Sequence, residues 1–185
     1  MQVDMLYITP NALETIGRYA GICYKSKDEP EANRKRAIHC KDSGHLSTLR
    51  HAHATFHVSG ISRICSHQFV RSKHLDFLQM SQRYVKQTNA TFVSPTYNTI
   101  YEDIYEQCKL AYDKLIEQGV KKEDARFVLP EGTTTELIVT GNLQAWLDFV
   151  KLRSGKDAQW EIRQVAVAIN NHLAQSCEGL FEEIK

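Results

Sequence analysis

Strand-forming segments are few in this chain, and they do not alternate regularly with helices. Ala54-Thr55-Phe56-His57-Val58-Ser59-Gly60 alternates as a half-buried strand does, and the Thr-rich, β-branched run from Thr133 to Thr140 reads as a buried or edge strand. Most of what lies outside them follows the helical period. No series of strand-helix-strand units can be laid out, so the expected fold is α+β, with helices packed on a small, mostly antiparallel sheet.

The helical segments are marked by their stripes and their punctuation. Thr9-Pro10 offers a cap and a first-turn proline for a helix running to about Tyr24, with Leu13, Ile16, Tyr19 or Ala20, and Cys23 on one stripe. A charged helix is expected from Glu29 to about His39, its Arg34, Lys35 and Arg36 forming a solvated face. Gly44-His45 interrupts the pattern, and Ile61 to about Val70 reads as a helix with Ile61, Ile64, Cys65 and Phe69 inward. From Phe77 to Tyr84 the period is ambiguous, and Asn89 to Pro95 is a loop or short strand. Tyr97 to Gln118 is a long helix with Ile100, Ile104, Cys108, Ala111 and Leu115 on its stripe, ended by Gly119. Asn142 starts another helix, and Gly155 separates it from a last one, Asp157 to about Ile184, striped by Trp160, Val165, Ile169 and Leu173.

Composition limits the function classes. A length of 185 residues at 42% hydrophobic and 24% charged suits one globular domain over residues 1–185. Twenty-three Lys plus Arg against 22 Asp plus Glu give a net charge of +1, with no global positive excess to suggest nucleic acid as partner. No run approaches the roughly 18 apolar residues that span a bilayer, and Met1 to Pro10 lacks a signal-peptide layout, so no membrane partner and a cytoplasmic location are expected. Cys23, Cys40, Cys65, Cys108 and Cys177 are odd in number, dispersed and without a Cys-x-x-Cys pair; they read as reduced thiols.

Several familiar site chemistries are not encoded. Glycine-rich dinucleotide and phosphate loops are lacking, as is a Gly-x-Ser-x-Gly elbow. His51, His53 and His57 share strand parity, but no carboxylate or cysteine accompanies them at a metal-ligand spacing, and no metal is expected. The dense polar stretch is Gln68-Phe69-Val70-Arg71-Ser72-Lys73-His74 leading into Gln79-Met80-Ser81-Gln82-Arg83-Tyr84. There, Ser81 and Arg83 can supply a hydroxyl, a guanidinium fork and main-chain donors to a phosphate monoester.

This stretch resembles the signature of the flavin-dependent thymidylate synthases, which make dTMP from dUMP without a cysteine nucleophile. The family's signature runs Arg-His-Arg, two variable residues, Ser, one variable, Asn-Glu or Ser-Gln, one variable, Ser, one variable, Arg-Tyr. In this chain the frame reads Arg71-Ser72-Lys73-His74-Leu75-Asp76-Phe77-Leu78-Gln79-Met80-Ser81-Gln82-Arg83-Tyr84, faithful in its second half and divergent in its first. Gly44-His45, His51, Thr55 to Val58 and Ile61 to Gln68 resemble the family's segments ahead of it. Ala125 to Pro130, Asn142, Leu152-Arg153 and Ala158 to Arg163 fall where the family places its later segments. The resemblance covers about Gly44 to Phe181 and extends to the amino-terminal helices.

Position by position, the resemblance implies that Gln68, Gln79, Ser81, Arg83, Arg126 and Arg153 contact dUMP, with Ser81, Arg83 and Arg126 at the phosphate. Arg153, with Ser81 the implied catalytic pair, would face the pyrimidine and favour its anionic form. His45, Ser47, Arg71, Lys73 and Asn142 are the implied flavin contacts. Ser72, Lys73, Asp76 and Leu78 depart from the signature, Arg50 occupies a position often acidic, and Gln144 replaces an Arg. The implied enzyme is an FAD-dependent methyltransferase using NADPH and methylenetetrahydrofolate, a homotetramer with active sites shared between chains. Two further readings stay open: a pyrimidine-nucleotide C5 hydroxymethylase on the same fold, and a catalytically silent nucleotide-binding homologue.

Overall fold

The computed structural model describes residues 1–184. Four strands, β1 (Gln2–Ile8), β2 (His53–Ser62), β3 (Leu75–Gln79) and β4 (Thr134–Asn142), form one sheet in the order β1-β2-β4-β3 with every pair antiparallel. The helices are α1 (Ala12–Gly21), α2 (Pro30–Asp42), α3 (Arg63–Phe69), α4 (Thr99–Glu117), α5 (Lys122–Ala125), α6 (Leu143–Arg153) and α7 (Trp160–Ser176). The α+β architecture is as the sequence implies.

One face of the sheet carries the core. Ala54, Phe56, Val58 and Ile61 of β2 and Leu137 and Val139 of β4 are buried under Ile162, Val165, Ile169 and Leu173 of α7 and Trp146 and Phe149 of α6. Trp146 donates its indole N–H to the Ala54 carbonyl at 3.1 Å, so the largest core side chain has its polar atom satisfied. Phe69 of α3 stacks on Phe149 with ring centroids 4.6 Å apart and meets Phe77 of β3 edge-on at 5.4 Å, which locks α3 between sheet and α6. Gly17 lets α1 and α2 touch, because a Cβ there would overlap the Asn33 carbonyl.

Four expectations need correction. The amino-terminal strand β1 is not read from the sequence, because its register shifts between Met5 and Tyr7 and an edge strand so broken keeps only a short alternation. Of the ambiguous stretch Phe77 to Tyr84, only Phe77 to Gln79 are strand, the end of β3, whose five residues are too few to establish a period, and Gln82 to Tyr84 form a turn. The third helix starts at Arg63: a bulge at Gly60, φ +67°, carries β2 on to Ser62, so Ile61 is buried in a strand while Ile64 is 46% exposed. The last helix ends at Ser176, because the chain turns at Gly179, φ +86°, and returns Leu180 and Phe181 to the core.

Helix α4 is the least embedded. Tyr112 is its buried residue, and its hydroxyl accepts the Gln87 N–H at 3.1 Å. Ile100 and Ile104 of the expected stripe are 69% and 48% exposed. The crowded histidines also separate: His51 ends the 3₁₀ segment Leu46–His51 against Tyr19, His53 opens β2, and His57 pairs with Glu136 across the sheet at 2.9 Å.

Candidate active site

Helix α3 organises the site. Its first residue, Arg63, lines a cavity of about 270 Å³ together with His67, Gln82, Arg126, Phe127, Leu129, Pro130 and Glu131. Burial holds the Arg63 pKa below its ordinary value, Glu131 partly offsets this, and the nearby Arg126 charge adds to the lowering. Gln82 is 6% exposed, and its side-chain amide nitrogen is buried with no hydrogen-bond partner. Two cations and the Gln82 side chain line one space, which is the chemistry of an anion site. Glu131, the acid of that lining, lies 3.5 Å from the His67 ring.

The neighbouring loop completes it. Ser81 accepts the Arg83 backbone N–H at 3.2 Å, which folds the loop back on itself. Arg83 Nε lies 3.3 Å from a Glu123 carboxylate oxygen, while Arg126 donates to the Glu123 carbonyl at 3.0 Å. Of Ser81, Arg83 and Arg126, which the resemblance assigns to one phosphate, the two arginines therefore meet at Glu123, and Ser81 is joined to Arg83; Arg126 lines the cavity, and Ser81 and Arg83 do not. Sequence reasoning missed Arg63, Gln82 and Glu123. The first two had a signal: Gln82 is a variable position inside the signature, and Arg63 lies five residues before Gln68 on the same helix, roughly 8 Å along its axis.

At the other end of α3, Arg153 donates from Nη2 to the Gln68 carbonyl at 3.2 Å, and its Nε is buried without a partner. Gln79 donates from its amide to Ser66 at 3.0 Å and to Thr135 at 3.2 Å, tying the end of β3 to α3 and β4. Gln68, Gln79 and Arg153 are thus all fastened to α3.

A second cavity, of about 130 Å³, is lined by Arg50, His74, Asn142, Gln144, Ala145 and Asp148. Asn142 caps α6 by accepting the Ala145 N–H at 2.9 Å, which leaves its NH₂ group for another acceptor. His74 is held at φ +63°, at the end of the turn that carries the exposed Arg71 and Lys73. The Ser72 hydroxyl in the same turn is buried without a partner. His45 and Ser47 stand exposed on the segment that delivers Arg50, and neither lines the cavity. This donor set suits the polar parts of a dinucleotide, while the space within one chain admits only a portion of one. Among the described residues no cluster of three His, Cys, Asp or Glu could hold a metal ion, and no helix is long and apolar enough to cross a membrane.

Comparison with known proteins gives the family and the fold. The family model described as thymidylate synthase complementing protein matches residues 4–177. The flavin-dependent thymidylate synthase of Geobacter sulfurreducens is 37% identical over 184 residues, covering 90% of this chain and 79% of that protein. That of Thermococcus onnurineus is 35% identical over 197 residues, covering 96% and 80%. The crystal structure of the flavin-dependent thymidylate synthase from Helicobacter pylori complexed with FAD and dUMP superimposes with a TM-score of 0.87 over 98% of both chains, at 21% identity. A match across nearly the whole chain, on a fold shared with that enzyme, settles the affiliation: this chain belongs to the thymidylate synthase complementing protein family, that of the flavin-dependent thymidylate synthases.

Proposed function

We propose that this single-domain chain is a flavin-dependent thymidylate synthase, transferring a one-carbon unit from methylenetetrahydrofolate to C5 of dUMP with FAD and NADPH. The observation that carries the reading is that Arg63, Arg126 and Gln82 line one cavity, with Ser81 and Arg83 flanking Gln82 in sequence. In this reading Ser81, Arg83 and Arg126 hold the dUMP phosphate, with Arg63 and Gln82 behind them. Gln68 presents its amide to the base, and Gln79, whose N–H groups are held by Ser66 and Thr135, its amide oxygen. Arg153, fastened to the end of α3, stands by the pyrimidine, where a guanidinium stabilises the charge that develops as C5 becomes nucleophilic.

His45, Ser47, Arg71, Lys73 and Asn142 would hold FAD around the second cavity, where the buried Ser72 hydroxyl and the free Asn142 amide fit a polar cofactor. Bound flavin supplies the reducing equivalent and relays the one-carbon unit; the chain's own residues bind, orient and polarise. A cavity that admits only part of FAD, and the exposed Ile100, Ile104 and Phe127, support a homotetramer in which neighbouring chains complete each site.

Calorimetry with dUMP tests the phosphate site: binding is expected, and Arg126→Ala is expected to weaken it about tenfold or more. No binding by the unaltered protein would overturn the reading. Light scattering is expected to give four chains of 21.2 kDa, and a single-chain mass would remove the shared site. Product analysis is expected to find thymidylate; a hydroxymethyl product, or intact dUMP binding without turnover, would replace the synthase by the hydroxymethylase or the silent homologue.

A further inference from the structure

We infer that Glu161 is a positioning residue for the phosphate end of this site, acting through Ser62 and helix α3; the inference rests on the reading of that site as the dUMP site. Glu161 is 3% exposed at the first turn of α7, and no Lys, Arg or His lies within ion-pair distance of it among the described residues. Both of its oxygens serve one residue: one accepts the Ser62 backbone N–H at 2.7 Å, the other the Ser62 hydroxyl at 2.5 Å. A hydroxyl has one proton and two lone pairs. With its proton committed to Glu161, the Ser62 oxygen turns its lone pairs to the Cys65 N–H, 3.0 Å away, and so caps α3.

A helix start does not require such an acid. Asn142 caps α6 and Asn98 caps α4 with no carboxylate behind them. What distinguishes α3 is its length and its load. Seven residues are too few to hold a helix by themselves, so its placement is imposed from outside. The four amide donors of its start are fully accounted for: Ser62 to Glu161, Arg63 to the Thr133 carbonyl at 3.1 Å, Ile64 to the Glu131 carbonyl at 3.2 Å, and Cys65 to Ser62. Two of these bonds lead into the segment that lines the phosphate cavity, and Arg63 itself projects from the anchored residue's neighbour. At the far end Arg153 of α6 takes the Gln68 carbonyl. An anion at the amino end and a cation at the carboxyl end, both from the α6-α7 pair, match the helix dipole and fix α3 from both sides. Glu161 therefore sets where Arg63 stands relative to Arg126.

Glu161→Gln keeps size and one acceptor, but its NH₂ group cannot accept a Ser62 proton, so one of the two bonds that hold Ser62 is lost and the orientation of the Ser62 hydroxyl is no longer fixed. Ser62→Ala removes the same bond with a smaller change, and Ser62→Thr retains the hydroxyl. The expected result is that Glu161→Gln and Ser62→Ala each weaken dUMP binding about tenfold while leaving deoxyuridine binding and kcat at saturating dUMP within about twofold. Ser62→Thr is expected to behave as the unaltered protein, and Glu161→Gln placed on Arg63→Ala to add little. Should Glu161→Gln fail to fold, the Ser62 pair carries the test. Unchanged dUMP affinity in folded Glu161→Gln or Ser62→Ala would overturn the inference, as would equal losses for dUMP and deoxyuridine or full additivity with Arg63→Ala, the marks of a general structural defect. Failure of the unaltered protein to bind dUMP would instead remove the site reading beneath it.

Discussion

Arg50 and Gln144, 94 positions apart, meet in a hydrogen bond of 2.6 Å from the Arg50 Nε–H to the Gln144 amide oxygen. The resemblance to the family's pattern marks both positions as departures, with an acid expected at Arg50 and an Arg at Gln144. The two positions are coupled in space: Arg50 stands on the 3₁₀ segment opposite the start of α6, where Gln144 lies, and both residues line the second cavity.

From this relationship, Arg50→Glu is expected to weaken FAD binding about tenfold or more, since the cavity then has an acid in place of its guanidinium and Asp148 beside it. Arg50→Glu combined with Gln144→Arg is expected to recover most of the loss, by restoring one cation to the pair. Flavin fluorescence titration measures both; equal affinity of the single and double variants would show the two positions to be independent.

The divergent half of the signature has a matching expectation. Ser72 buries an unpartnered hydroxyl, and Leu78 is 75% exposed on β3, so neither residue offers the imidazole or amide that the family pattern places there. Two absent contacts at about 1 kcal/mol each amount to roughly a thirtyfold weaker FAD site. Ser72→His with Lys73→Arg and Leu78→Asn is expected to tighten FAD by that order. An unchanged dissociation constant and unchanged thymidylate formation would make these departures neutral.

The Arg83-Glu123 pair predicts effects of opposite sign. Arg83→Ala is expected to weaken dUMP at least about tenfold, through loss of a charge-assisted contact. Glu123→Gln frees Arg83 from a competing carboxylate and is expected to tighten dUMP, at most about fivefold because the pair is half exposed. Weaker binding by Glu123→Gln, read by calorimetry, would show that Glu123 orients Arg83 for the phosphate.

The thiols give a pH prediction. Burial pushes the Cys177 pKa up to about 11, and burial with the Glu161 charge beside it pushes Cys65 higher still, partly offset by Arg153. The folded state keeps these protons where an unfolded chain, with thiols near about 8.5, releases them. Their contribution to stability is full below that value and declines as pH rises through about 11. Urea midpoints are expected to fall more steeply above pH of about 8.5 in the natural protein than in Cys177→Ala. Cys23, exposed, is expected to label with iodoacetamide in the native state while Cys65 and Cys177 do not, and replacement of all five cysteines is expected to preserve turnover in chain that folds.

Legibility in the sequence followed the range of the interactions. Ala54 to Gly60, Thr133 to Thr140 and the stripes of the major helices carry their period locally, and the α+β class follows from their order. Ser81, Arg83, Arg126 and Arg153 were singled out by the resemblance, which is a property of linear order. Tertiary structure decided the rest. It added β1, a broken edge strand that exists by pairing with β2, and β3, which is too short to have a period. It brought Arg63 and Arg126 to Gln82 from separate segments, set Glu123 against Arg83, joined Arg50 to Gln144, and put Glu161 beneath Ser62 at a separation of 99 residues. It also exposed Ile100 and Ile104, whose helical stripe marks them for burial but does not say against what. Periodicity reports which face of an element is apolar; a hydrogen bond between distant residues is chosen only when packing has fixed where both backbones run.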